Sequence, residues 1–517
     1  MLRFLGWSSA VCLSLSMLQA QETTNEVQEL KRQLKEAQEI FQKAIEQHRQ
    51  TIEALTRKLE ALQYPQAAVT NQRPGLPPSA TPAPSVPPAV ESRSWRPSDP
   101  LRLGSGAAYL DLGLVGTFAA GGSTASDIEG GVESGGHDPY QRGFNIQGIE
   151  LNVVGAVDPY FRGNVNLVYS LDAAGESYFE LEEGWMETMS LPGNLQVRAG
   201  QIFTDFGRHN PTHLHTWSFV DQPLVNGRLL GPDGLRNLGA RLAWLMPTPF
   251  YSELSLGVQN SQGETATSFR SSGHTDGGGE DDGLPFAYRD LDNDRGLQTV
   301  GDLLFSPRYA VSFDLSPEHV LLLGGSAALG PNSSGGDGAG DTTTRIVGVD
   351  LTWKWKSPRH HGGFPFVAWQ TEAMLRQYDA GVFDWAGEAA AGATPVLEVG
   401  TGLPAVLPGE TLTDYGLYSQ LLYGFRRGWV AGMRGDFVTS DPAAYERMNL
   451  TYDGEALGRD PQRAQRWRLS PSLTWYPSEY SKIRLQYNYD NRLGLGQDHS
   501  VWLQWEFLLG AHAAHKF

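Results

Sequence analysis

The sequence predicts an all-β fold, a transmembrane antiparallel β-barrel of about 16 strands, preceded by a short α-helical coiled coil and a Pro-rich linker. Three observations carry this expectation. Apolar and polar side chains alternate with a period of two through most of residues 101–517. The connections between the alternating segments are tight turns and long Gly-, Asp- and Ser-rich stretches in turn. The chain also opens with the pattern of a secretory leader, which directs it out of the cytoplasm.

The leader is read over residues 1–20, with Arg3 ahead of an apolar run from Leu5 to Leu18 and a small residue at Ala20. The run is short for a membrane anchor, and no stop-transfer flank follows Gln21. Cys12, the sole cysteine, lies inside it, and Val11 stands where a lipoprotein would need Gly or Ala. The mature chain is therefore expected to lack disulfides and thiolate sites. A formal charge of −18 argues against a nucleic-acid partner. No later segment has the roughly 18 consecutive apolar residues of a membrane helix, so any membrane spans must be strands.

Residues 21–64 read as a periplasmic coiled coil. Val27, Leu34, Phe41, Leu55 and Leu62 follow a seven-residue spacing, with Leu30, Ala37, Ala44, Ile52 and Leu59 as the companion row and a register shift near His48. His48 falls on the seam, where a polar residue specifies register more often than it ligates. Residues 65–100 have the composition of an extended polyproline spacer that cannot pack into a core.

Strands are expected near 107–119, 143–157, 161–170, 177–189, 194–204, 237–246, 250–260, 308–316, 319–329, 344–356, 363–378, 414–426, 428–439, 465–476, 480–490 and 499–512. Tight turns fall at Asp158, Leu191, Pro247, Ser316, Ser357, Arg426 and Tyr476. Short turns on one rim and long loops on the other describe a membrane barrel with both ends of the barrel chain on the short-turn side. In the last strand Val501, Leu503, Trp505, Phe507 and Leu509 share one face and Gln504 and Glu506 the other. Alternation alone also fits a soluble sandwich, but aromatic residues crowd the strand ends as in an interfacial girdle.

The inward row should line the lumen, with Arg198, Arg434, Arg466, Arg468, Lys482 and Arg484 as cations and Glu180, Glu182, Glu372 and Asp436 as anions. These charges either set up a transverse field or merely solvate the wall. The connection from Thr204 to Asn237 carries many apolar residues and is expected to fold into the lumen as a constriction, presenting Asp205, Arg208, His209, His213, His215, Trp217 and Asp221. His209, His213 and His215 have a spacing compatible with a zinc site, or are hydrogen-bonded loop histidines. The acidic stretch that includes Glu280, Asp281 and Asp282 suits a loop facing solvent or lipopolysaccharide. No catalytic grouping stands out, so an enzyme is not expected.

The exported coiled coil, the proline spacer and the ending SVWLQWEFLLGAHAAHKF together resemble bacterial outer-membrane porins, in layout the phosphate- and sugar-selective ones. The resemblance implies a passive channel for small hydrophilic solutes or ions in the bacterial outer membrane, surrounded by lipid and lipopolysaccharide. It further implies a homotrimer and an assembly signal for the barrel-assembly machinery at Phe517, with Trp505 and Phe507 on the same row. The segments GIELNVVGAVDPYF, RAGQIFTDFGRHNPTHLHTW and PLVNGRLLGPDGL, with the ending GAHAAHKF, also resemble proteins described as zinc-regulated TonB-dependent outer-membrane receptors. The true TonB-dependent pattern has a globular plug domain for which this chain has no room. A zinc-binding receptor or transporter, and a structural tether to peptidoglycan through the coiled coil, are the alternative functions.

Overall fold

The computed structural model describes residues 101–510 apart from 106–107, 127–134, 172–174, 271–285, 290–296, 335–341, 392–395 and 401. The expected leader, coiled coil, linker, acidic stretch near Glu280 and terminal Phe517 lie outside the described residues.

Sixteen antiparallel strands form a closed barrel. The first eight are β1 (Ala108–Ser123), β2 (Gly143–Ala156), β3 (Phe161–Leu171), β4 (Ser177–Thr188), β5 (Leu195–Phe203), β6 (Arg236–Leu245), β7 (Tyr251–Asn260) and β8 (Leu303–Ser316). They are followed by β9 (His319–Pro331), β10 (Thr343–His361), β11 (Phe364–Ala380), β12 (Glu410–Arg426), β13 (Trp429–Ser440), β14 (Arg466–Ser478), β15 (Ser481–Arg492) and β16 (Gly496–Leu509). Each pairs with its sequence neighbours, and β16 closes the ring on β1 from Leu114↔Leu509 to Ser123↔Ser500. A further short strand, Leu101–Ser105, pairs with β1 from Leu101↔Leu112 to Ser105↔Ala108, beyond the point where β16 ends.

The wall is polar inside and apolar outside. Leu485 is 50% exposed on β15, while its neighbours Arg484 and Gln486 are 1% and 0% exposed. Such an inverted distribution is stable only when the outer face meets lipid. Aromatic pairs sit at the short-turn ends of the wall, including Trp429 stacked on Trp475 at 5.8 Å.

Local chemistry sets the short rim. Asp158 Oδ1 accepts from the amides of Tyr160 and Phe161 at 2.8 and 3.0 Å, which closes the β2–β3 turn. The turn expected from Ser357 is tighter than the sequence suggested. β10 continues to His361, and only Gly362 and Gly363, at φ 58° and 88°, make the bend. The ladder breaks between Lys356 and His361, where Pro358 has no amide to donate. On the other rim the connections 172–176 and 493–495 are short, while 204–235, 261–302, 381–409 and 441–465 are long.

Among the described residues, two larger apolar cores fill the long-loop half. In the first, helix α1 (Leu224–Leu230) buries Leu224, Val225, Leu229 and Leu230 against Ile346, Met374, Tyr418 and Val438 of the inner wall. In the second, the segments 381–409 and 441–465 pack Phe383, Trp385, Leu407, Tyr445 and Leu450 against Tyr378 of β11. These long loops therefore have a core of their own, and apolar content does not set 204–235 apart as the sequence suggested.

Leu229 is fully buried. Leu229→Ala should weaken the docking of α1 by about 2–5 kcal/mol. Limited proteolysis checks this: faster cleavage within 204–235 with an intact, heat-resistant barrel is expected, and an unchanged cleavage rate would count against α1 as the anchor.

Candidate functional site

The segment 204–235 leaves the end of β5 and runs inside the barrel, bonding in turn to inward side chains of most of the wall. Gly207, at φ 60°, allows the first approach, because a side chain there would collide with the Glu372 carboxylate. The Gly207 amide donates to Ser326 Oγ on β9 at 3.1 Å. The amides of Arg208 and His209 donate to Glu372 on β11 at 2.9 and 2.7 Å, and the Tyr418 hydroxyl donates to the same carboxylate. Asp205 accepts from Arg241 at 2.9 Å and from Ser255 at 2.8 Å.

The histidines then separate. His209 lies against Trp217 and Tyr418, with ring centroids 5.1 and 6.3 Å away. Burial, with the Arg434 charge nearby, pushes its pKa down to about 3. His213 turns to β4, its Nδ1 2.6 Å from Glu182 and its Nε2 3.0 Å from Glu183. Burial opposes a charge on His213, but the two carboxylates outweigh it and hold the pKa well above the ordinary value. His215 stacks on His213 at 5.8 Å and places Nδ1 2.7 Å from Glu150 of β2.

Beyond the histidines the segment meets the basic wall. The Lys482 ammonium donates to the His215 carbonyl at 3.0 Å, and Arg484 donates to that of Trp217 at 2.8 Å. Asp221 inserts between Arg434 at 2.6 Å and Arg468 at 2.8 Å, and also accepts from Gln486 and Asn488 at 2.9 and 2.8 Å. Burial works against this carboxylate, yet the two guanidiniums outweigh it and depress its pKa. Arg434 also bonds Asp436, Arg466 and Arg468 share Asp490, and Lys482 pairs with Glu506.

On the short-turn side of the segment lies a vestibule of about 1230 Å³, bordered by rim residues such as Pro317, Gly363 and Tyr480. All seven residues named for the segment, Asp205, Arg208, His209, His213, His215, Trp217 and Asp221, line it. Of the inward charges of the strands, Arg198, Arg434 and Lys482 also border it. Glu182, Glu372, Asp436, Arg466, Arg468 and Arg484 are buried in pairs and hydrogen bonds instead, and Glu180 pairs with Arg236. Opposite charges therefore neutralise one another and the inserted segment, where an open transverse field was one expectation.

Among the acidic and imidazole groups of this site, His137, whose Nε2 lies 3.9 Å from Glu182 Oε1, Glu150 and Glu183 escape the sequence analysis, as do the polar partners Arg241, Ser255, Ser326 and Tyr418. Glu150 stands on the inward row of β2 between Ile149 and Leu151, and its phase alone could have identified it. Glu183 depends on a β-bulge. Asn166 pairs with Glu183 and Leu167 with Leu181, so Glu182 is the extra residue and both glutamates turn inward, 3% and 7% exposed. The consecutive acids in an otherwise alternating strand were the available signal.

Fold and lumen define the class, a closed β-barrel of the outer-membrane type with an inserted, ion-paired segment. No family model matches the chain. It is 28% identical over 407 residues to an uncharacterized protein of Aquifex aeolicus (strain VF5), covering 74% of this chain and 73% of that protein. Solved structures with a similar fold are bacterial outer-membrane porins and channels. The outer membrane channel DcaP of Acinetobacter baumannii has 10% identity and a TM-score of 0.45, over 78% of this chain and 98% of its own. The anion-selective porin from Comamonas acidovorans has 8% identity and a TM-score of 0.44, over 78% and 100%. Pseudomonas putida OprB has 10% identity and a TM-score of 0.43, over 77% and 94%.

Asp221→Ala removes the carboxylate that Arg434 and Arg468 share and should cost about 3–5 kcal/mol of local stability. Hydrogen exchange of the amides near 221 reports this directly; protection equal to wild type would rule out the pair as the anchor.

Proposed function

We propose that the protein is an outer-membrane channel for small hydrophilic solutes or ions, with 204–235 as its constriction. The observation that carries this reading is the charged vestibule inside the barrel, lined on one side by residues 205–221. Side chains of both signs line it, so a hydrated solute is accommodated there better than an apolar one. In this reading the short-turn rim faces the periplasm, the apolar belt meets outer-membrane lipid and lipopolysaccharide, and the barrel is inserted by the assembly machinery.

The packing of α1 above the vestibule makes the resting state a narrow one. Flow then depends on displacement of 204–235, and its anchors at Glu372 and Asp221 act as the restraint. The heptad pattern of 27–62 fits a homotrimer held together outside the membrane, and a contact with peptidoglycan would use the same helix.

Planar-bilayer recording tests the channel. Wild type is expected to give small, infrequent openings, and Asp221→Ala larger or more frequent ones. Folded protein that passes no current in either form would overturn the reading.

A further inference from the structure

Among the described residues, a second cluster lies between the acidic wall and two inward connections. The ligand-type atoms of Glu150, Glu182 and His213 all lie within 4.8 Å of one another. His137, from the connection between β1 and β2, lies beside this group with its Nε2 3.9 Å from Glu182 Oε1, and it also falls within 4.8 Å of ligand-type atoms of Glu180 and Asp233. His137 is 5% exposed, Glu150 1% and Glu182 3%, while the His213 side chain, 18% exposed, borders the vestibule.

The orientation of the His137 ring follows from its other nitrogen. Nδ1 lies 3.0 Å from the Gln147 carbonyl, which can only accept, so Nδ1 carries the hydrogen. Nε2 is thereby aimed at the carboxylate of Glu182. Nε2 makes no hydrogen bond. A buried ring nitrogen and carboxylate oxygen 3.9 Å apart, with no hydrogen bond between them, leave room for a cation that both can bind. Metal–imidazole and metal–carboxylate bonds of about 2.0–2.2 Å add up to slightly more than the observed gap, so one ion between the two atoms reaches both.

The surroundings have the form of a ligand-orienting shell. The Gln147 carbonyl fixes the His137 ring, as outer-shell carbonyls do for metal-bound imidazoles. Asn166 Nδ2 donates to Glu182 Oε2 at 2.7 Å, and His215 Nδ1 lies 2.7 Å from Glu150 Oε2. Both wall strands are bulged at this level: Gln147 is an extra residue of β2 against β1, and Glu182 of β4 against β3. Bulges re-aim side chains and concentrate beside sites.

We propose that His137, Glu150, Glu182 and His213 bind a divalent first-row transition metal, zinc being the ion that imidazole and carboxylate ligands suit best. The ion would join residues 135–142 and the segment 204–235 to β2 and β4. His209 takes no part. The proposal is independent of conduction, because binding is measurable whether or not the barrel passes current.

The test is calorimetric titration of the chelator-treated, folded full chain with zinc chloride, with cobalt(II) absorption as the spectroscopic counterpart. A single ion per chain is expected, with affinity lowered by about tenfold or more in His137→Ala and Glu182→Gln and unchanged in His209→Ala. Glu182→Gln keeps the side-chain volume, and heat-modifiable migration reports that each variant is folded. Absence of zinc and cobalt binding in wild type, or wild-type affinity in both cluster variants, would overturn the site.

Discussion

Everything in this structure depends on closure of the hydrogen-bonded ring between β1 and β16. In hydrocarbon an unpaired backbone amide or carbonyl costs several kcal/mol, so a sheet can cross only if it has no free edge. Once the ring closes, period-two alternation sorts every side chain into lipid or lumen. Leu485 and Leu503 go out while Arg484 and Gln504 go in. The short strand Leu101–Ser105 extends this logic, since it pairs the part of β1 that β16 no longer reaches.

Closure creates the second problem, a lumen rich in buried charge. A buried ion is tolerable when it is paired and its remaining hydrogen bonds are met. Here the wall pairs part of its charge within itself, as Arg466 and Arg468 do with Asp490. The rest is met by the inserted segment, which offers imidazoles to the acidic side and Asp221 to the basic side. Electrostatic complementarity thus fixes the register of 204–235, while α1 contributes the apolar burial that keeps it in place.

Sixteen strands were legible because alternation and turn chemistry are local signals. Where boundaries shifted, a local signal competed. β8 begins at Leu303, five residues before the expected 308, with Pro307 inside it paired to Leu256. The proline reads as a strand breaker but sits where the ladder between β8 and β9 is interrupted, between Phe305 and Arg308, and its missing amide is harmless there. The apolar content of 204–235 was legible, although 381–409 and 441–465 bury apolar residues as well. The partners of 204–235 were not, because Glu372 and Arg434 lie 163 and 213 positions from the groups they bind, and no local pattern encodes such pairings.

The bulge at Glu182 joins these strands of argument. Strict alternation sends successive residues to opposite faces, so Glu182 and Glu183 can both face the lumen only if one ladder position is lost. Two adjacent carboxylates in a dry wall repel each other, and the wall meets them only in part, through Asn166 and Arg236 beside Glu182, without a group that bridges both. His213 does, with one ring nitrogen on each glutamate. The bulge therefore gains a group that bridges both carboxylates when 204–235 is inside the barrel, and His213 finds both of its glutamates because the strand departs from its period. Wall and insertion are in that sense one unit, and a change at either should be felt at the other.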